Sequence, residues 1–171
     1  LLSGEMIRTA GEQEWRNGRG EYFGEELCRR EYSLISVFDT SFIDEISAHA
    51  SFVDCMDFYK DILKLIDENE KYICIIKPSK NERSYIDPDL QWSAPSRTGE
   101  LLEIWNMVKA HHRINWVGDT GDSSVIMSIS DLVITHCFSS TSGEALSARK
   151  KAFWYESGMG HRGMYLDRVP R

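Results

Sequence analysis

No stretch of this sequence approaches the ~20 consecutive apolar residues of a membrane-spanning helix, and no signal-peptide pattern is visible. Its four cysteines, Cys28, Cys55, Cys74 and Cys137, are scattered without any C-x-x-C spacing. A disulfide scaffold and a zinc ribbon are thereby excluded, and a reduced, cytosolic protein is expected. The five histidines never combine with cysteines or carboxylates at metal-ligand spacing, so no metal site is expected. Walker and G-x-S-x-G sequences are also missing and no G-x-G-x-x-G fingerprint is recognised, which makes P-loop chemistry, serine hydrolysis and classical dinucleotide binding poor readings. Excess positive charge is lacking too. A formal charge of −7 argues against a general nucleic-acid or anionic-membrane surface, though it permits a local phosphate site.

What the chain does have is core material. At 171 residues and 42% hydrophobic, with five Trp, seven Tyr and seven Phe, it can bury one domain-sized core. It opens on Leu1-Leu2 without an initiating Met, so a piece of something longer is expected. Residues 1–31 are polar and punctuated by Gly; Arg16, Arg19, Arg29 and Arg30 are interleaved with Glu. They read as a solvated linker or N-terminal extension. Residues 32–171 read as the folded domain.

Order begins at the strand-like run 33–38, which ends in Asp39-Thr40-Ser41. Asp44–Ala50 suggests a short helix. An amphipathic helix follows to about Glu68, with Val53, Met56, Tyr59, Ile62, Leu63 and Ile66 inward and a Ser51/Asp54 cap. A second buried strand, 72–76, stops at Lys77-Pro78, and 79–97 reads as a long loop. Thr98 caps a helix with Leu101, Ile104, Trp105 and Val108 inward, and Ile114–Val117 is a third strand. Asp122 caps a short helix burying Val125, Ile126 and Ile129. Then comes Asp131–Tyr155: a buried strand, a hydroxyl-rich turn, a short helix over Glu144–Arg149, and a buried strand at Ala152–Tyr155. The tail has glycines at 158, 160 and 163. Alternating strands and helices with short connections predict an α/β fold: a Rossmann-like, doubly wound parallel sheet of five or six strands in three α/β/α layers.

In such sheets ligands bind beyond the carboxyl ends of the strands. The turn Ser139-Ser140-Thr141-Ser142-Gly143 lies there, and small hydroxyl residues before a helix let a phosphate reach the helix amides. The competing reading is that Thr141 and Glu144 form a capping box needing no ligand, which leaves Ser139 and Ser140 in surplus. Lys77 projects at the same edge and supplies a point charge, or merely ends its strand. Asp39 and His136 stand at that edge as well. Asp39 is a site acid or a turn former, and His136 a ligand contact or a group bonded to a backbone carbonyl. His111 and His112 close a helix at the surface.

Asp131-Leu132-Val133-Ile134-Thr135, Ser139-Ser140, Gly143-Glu144-Ala145-Leu146 and Lys150-Lys151-Ala152 together resemble the C-terminal domain of GT-B glycosyltransferases of bacterial surface-polysaccharide biosynthesis. Inverting sialyltransferases, Kdo transferases and teichoic-acid glycerophosphotransferases are similar. The resemblance implies a nucleotide-sugar donor as substrate and no cofactor. It implies donor phosphate held by Lys77, Ser139, Ser140 and Thr141, and donor ribose held by Glu144. It also implies a glycan or lipid-linked acceptor and a separate N-terminal acceptor domain that supplies the catalytic base, so no catalytic residue is assigned. A cytoplasmic place follows, at the inner face of the membrane in the whole protein, with peripheral association. The chain departs from the pattern twice. The usual Gly-Lys-Pro after the helix reads Arg149-Lys150-Lys151, and the usual His before Pro is Lys77. Alternatives with the same phosphate cradle are a sugar-nucleotide epimerase or a glycerophosphotransferase. From another class, the alternative is a non-catalytic α/β scaffold module.

Overall fold

The computed structural model describes residues 18–28, 31–41, 52–87, 98–118, 121–137 and 139–155. Five strands form one sheet: β1 (Ser33–Phe38), β2 (Tyr72–Lys77), β3 (Ile114–Trp116), β4 (Leu132–His136) and β5 (Lys151–Tyr155). All neighbours are parallel, in the order β3-β2-β1-β4-β5. The helices are α1 (Phe52–Glu68), α2 (Arg83–Ile86), α3 (Thr98–Ala110), α4 (Ser123–Ile129) and α5 (Ser140–Ser147). This is the expected Rossmann-like α/β fold, with the chain reversing direction across the sheet between β1 and β4.

The pleat explains the layers. Successive residues of β1 and β2 face opposite sides, so a strand buried on both faces is apolar at nearly every position, fully buried Ser36 of β1 being an exception. Ile35, Val37, Cys74, Ile76 and Ile134 join α1, α2 and α3 in one cluster, which includes Phe58, Tyr59, Tyr85 and Trp105. Leu34, Phe38, Ile73, Ile75 and Val133 join Ile126, Met127, Ile129 and Ala145 of α4 and α5 in the other. Each fully buried Ile, Leu or Phe contributes roughly 1.5–3 kcal/mol, before the entropy of ordering it is subtracted.

Several details differ from the sequence expectation, each for a packing reason. Val53 and Val125 are exposed (44% and 41%), and the buried positions belong to Phe52 and Met127. The helices sit rotated so that the larger side chain goes inside. Phe153, expected inside β5, is 58% exposed. β5 is the outermost strand on its side among the described residues, and a strand with one neighbour receives less cover than β1 or β4. Asp44–Ala50, Ser51 and residues 88–97 lie outside the described residues.

The segment 18–28, expected as a solvated linker, packs against the sheet instead. Arg19 is fully buried. Its Nη2 donates to Asp131 Oδ2 at 2.7 Å and to Ile129 O at 3.2 Å, and its Nη1 donates to Tyr32 O at 3.1 Å. Asp131 Oδ2 also accepts from Leu34 N at 2.8 Å. One guanidinium therefore ties the N-terminal segment to the starts of β1 and β4, while Tyr22, Phe23 and Leu27 lie on the α4/α5 cluster.

The exit of α5 is tight even without glycine. Lys150 N donates to Ala145 O and Arg149 N to Leu146 O, both at 3.0 Å, the paired bonds of a Schellman cap. Arg149 takes the left-handed position, φ 55°. Lys150 Nζ then donates to Ser128 O (2.6 Å) and Ser130 O (3.1 Å), closing the carboxyl end of α4. A left-handed L-residue costs about 1–2 kcal/mol, offset in part by the extra unfolded-state freedom of glycine. Arg149→Gly should therefore stabilise the protein by about 0.5–1 kcal/mol, read as a higher urea midpoint at unchanged slope. A midpoint that falls would mean the Arg149 side chain has a role the backbone does not account for.

Candidate functional site

Parallel strands all point their carboxyl ends to one edge, so the exits of β1, β2 and β4 are brought together. Phe38 of β1 is paired with Lys77 on one side and Thr135 on the other. Asp39 follows directly on β1, His136 is the last residue of β4, and α5 begins four residues beyond His136.

Asp39 is buried, 8% exposed. Its Oδ2 accepts from Tyr59 Oη of α1 at 2.6 Å, and its Oδ1 accepts a short bond from Ser79 N beyond β2. Ser41 Oγ and Ser79 Oγ lie 3.3 Å apart. A single carboxylate thus joins the β1 exit, the β2 exit and α1. Burial raises the Asp39 carboxyl to about 6, against the opposing bonds from Tyr59 and Ser79 and the charge of Lys77.

His136 is 1% exposed. Its ring stacks on Phe58, centroids 4.8 Å apart and planes 13° from parallel, with Tyr155 tilted at 6.1 Å. Neither ring nitrogen has a hydrogen-bond partner among the described residues. Burial lowers its pKa to about 4, opposed by Asp54. The imidazole is therefore neutral at pH 7, with one donor and one acceptor unused. Beyond it, Cys137 holds a left-handed φ of 62°, a conformation costly for a side chain with Cβ and concentrated at ligand-binding turns.

The start of α5 corrects the expected cap. The N-cap is Ser139, extended at φ −130° and ψ 173°, and Ser140 is the first helical residue. Ser142, not Glu144, returns the bond: Ser142 Oγ accepts from Ser139 N at 3.2 Å. Ser142 is buried, and its Oγ also lies 2.6 Å from Thr135 Oγ1. Thr141 sits half-buried in the first turn, and Glu144 is exposed in the second, with no part in the cap. The reason is length. The helix starts four residues earlier than its charged end suggested, because Ser142 can bond inward to β4. The first-turn amides of Ser140 and Thr141 have no carbonyl of their own helix to bond.

The expected residues thus reach one edge but divide between its two faces. Ile76 belongs to the α1 cluster, so the pleat turns Lys77 to the other face, where α4 and α5 pack. Lys77 therefore shares a face with Ser139, Ser140 and Thr141. The strands are ~4.8 Å apart, so the exits of β2 and β4 stand on the order of 10 Å apart across β1. Asp39 and His136 face α1 instead. Half-buried His111, expected at the surface, meets Asp67 through Nε2 at 3.1 Å.

Tyr59, Ser79, Ser142 and Cys137 carry this geometry without having been singled out. Tyr59 has the helical spacing of an ordinary core residue, and nothing local marks its hydroxyl as the partner of a residue 20 positions earlier. Gly158, Gly160 and Gly163 do have G-x-G-x-x-G spacing, so the fingerprint held to be absent from the sequence is present in the tail. It follows β5, not the first strand where dinucleotide-binding turns stand, and lies outside the described residues, as does His161. Among the described residues, no group of three His, Cys, Asp or Glu is placed to hold a metal. No described helix is long and apolar enough to cross a membrane.

Asp39 and His136 should give opposite pH dependence. Asp39 has a folded pKa of about 6 against an ordinary 3.8, so the native state binds its proton more tightly. Its contribution is greatest below pH 4 and is lost as pH rises through 6, by about 3 kcal/mol in total. His136 has a folded pKa of about 4 against an ordinary 6.5. Its contribution is fully present above pH 6.5 and is lost as pH falls toward 4, by a similar ~3 kcal/mol. The two nearly cancel. In urea denaturation between pH 4 and 7, Asp39→Asn should leave a stability that rises with pH relative to the parent, and His136→Gln one that falls. Parallel profiles for both variants would remove the opposed burial effects as their cause.

Set beside known proteins, the chain matches no family model, no curated protein and no solved structure, so its function is argued from this edge alone.

Proposed function

We propose that the chain is the nucleotide-sugar donor-binding half of a glycosyltransferase of bacterial surface-polysaccharide biosynthesis, taking the donor phosphates between Lys77 and the start of α5. One observation carries the reading. Lys77 and the Ser139–Thr141 turn lie on the same face of the carboxyl edge, flanking β1 where the chain reverses direction. A point charge on one side and helix amides with a favourable dipole on the other suit a diphosphate. Sugar transfer from such a donor needs its leaving phosphate stabilised as charge develops there, which is what oriented donors supply. Glu144, exposed and not engaged in the cap, is left for a ribose contact. On this reading the acceptor, the catalytic base and any membrane association belong to a separate acceptor domain.

A scaffold role is the second reading. Ser142 already serves the cap and bonds to Thr135, so part of the hydroxyl-rich turn is accounted for without a ligand. Ser140→Pro separates the two. Proline is well tolerated at the first helical position, and extended Ser139 suits the residue before it. The change deletes one amide donor and leaves the helix intact. Titration calorimetry against CMP-, CDP-, UDP- and GDP-linked sugars should show weak binding, reduced about tenfold by Ser140→Pro, a loss of ~1.4 kcal/mol, and similarly by Lys77→Ala. Thermal stability of Ser140→Pro should match the parent. No binding at millimolar ligand would favour the scaffold.

A further inference from the structure

We propose that Asp39 takes up a proton when an anion occupies the carboxyl edge, so that donor binding and Asp39 protonation form one linked equilibrium. The inference rests on the donor-site reading above and adds a pH dependence to it.

The coupling is electrostatic and acts across the sheet edge, since Asp39 faces α1 while Lys77, one strand over, turns to the α4/α5 face. Asp39 is buried one residue beyond Phe38, the residue paired with Lys77 on β2 and with Thr135 on β4. Two donors hold it as a carboxylate, Tyr59 Oη from α1 and Ser79 N from the β2 exit, and the charge of Lys77 adds to them. A phosphate paired with Lys77 would compensate that charge and add its own. Both changes favour the neutral acid, so they do not offset each other.

The other described groups facing Asp39 do not titrate in the relevant range. From α1, burial keeps the Cys55 thiol and the Tyr59 hydroxyl protonated well past neutrality. From β4, burial pushes His136 down to about 4, and Asp54 of α1 acts on His136 in the opposing direction. Asp122, the N-cap of α4, also feels Lys77, but its carboxyl is held low by bonds from Ser124 and Val125. Among these groups Asp39 alone changes charge between pH 5 and 7. By reciprocity, protonating Asp39 must strengthen anion binding by the same factor that the anion strengthens proton binding.

The test is calorimetry of the full chain with the same sugar-nucleotide panel, whose phosphodiesters hold a fixed charge from pH 5 to 8. Titrations in buffers of different ionisation heat report the protons taken up. If the anion raises the Asp39 pKa by about one, uptake near pH 6.5 is about half a proton per ligand, and affinity rises roughly five- to tenfold from pH 7.5 to 5.5. Asp39→Asn should bind without uptake. Tyr59→Phe removes a bond that favours the carboxylate, so its maximal uptake should move to higher pH, a shift that loss of packing alone does not produce. Binding with no uptake by the parent overturns the inference and leaves the donor reading standing, as does uptake unchanged in Asp39→Asn. Absence of binding by every ligand overturns both.

Discussion

A buried carboxylate must be hydrogen-bonded or neutral, and Asp39 meets that requirement in a way that arranges everything around it. Water is excluded from the end of β1 because α1 covers one face, so the charge can be satisfied only by protein donors. Tyr59 and Ser79 supply them. Tyr59 belongs to the helix that follows β1, and Ser79 to the loop that follows β2. One side chain consequently fixes where two loops leave the sheet, and with them the position of Lys77. Removing the acid would relieve a desolvation penalty and at the same time leave Ser79 N–H and Tyr59 O–H without their acceptor. The two effects oppose, which is why the residue is better regarded as a constraint on geometry than as a source of stability.

The same exclusion of water acts on His136 with the reverse sign. Burial opposes charge on either residue, so the acid is displaced upward and the base downward. Near pH 5 both central-strand groups are neutral in the native state. The edge is therefore poor in fixed charge on the α1 face. Its positive character, from Lys77 and the amides of α5, is confined to the other. An acidic protein can keep a local patch of positive potential this way, because that potential is set within a few ångströms and not by the net charge of −7.

Much of the fold was legible in the sequence because the sheet is buried on both faces. Runs such as Leu34–Phe38 and Ile73–Ile76 have no amphipathic alternation to misread, and short connections forced parallel crossovers. Edges were less legible. Phe153 is as apolar as Ile134, and only strand order distinguishes a central from an outer position. Buried charge was illegible altogether. Arg19 sits among glutamates and glycines like any solvated residue, and its partners Tyr32, Ile129 and Asp131 come from distant parts of the chain. The cap of α5 failed for a related reason. Thr141 and Glu144 have the spacing of a capping box, but the bond from Ser142 to Thr135 is a tertiary contact that spacing does not encode. The missing glycine after α5 was a real departure in composition and none in shape, since Arg149 takes the left-handed conformation that glycine would have taken.

How the hydroxyl-rich turn divides its labour follows from that corrected cap. Ser142 is committed inward, to β4 and to Ser139 N, and holds the helix start against the strand. Ser140 is exposed and Ser139 extended, so what they present outward is backbone amide as much as hydroxyl. A helix start anchored from below by one serine is pre-organised, and the donor phosphate proposed for it would not need to order it. That lowers the entropic cost of binding without any direct contact from the residue responsible. The unusual number of hydroxyls in this turn thus has two explanations, one for the serine that anchors the turn and another for those that face the edge.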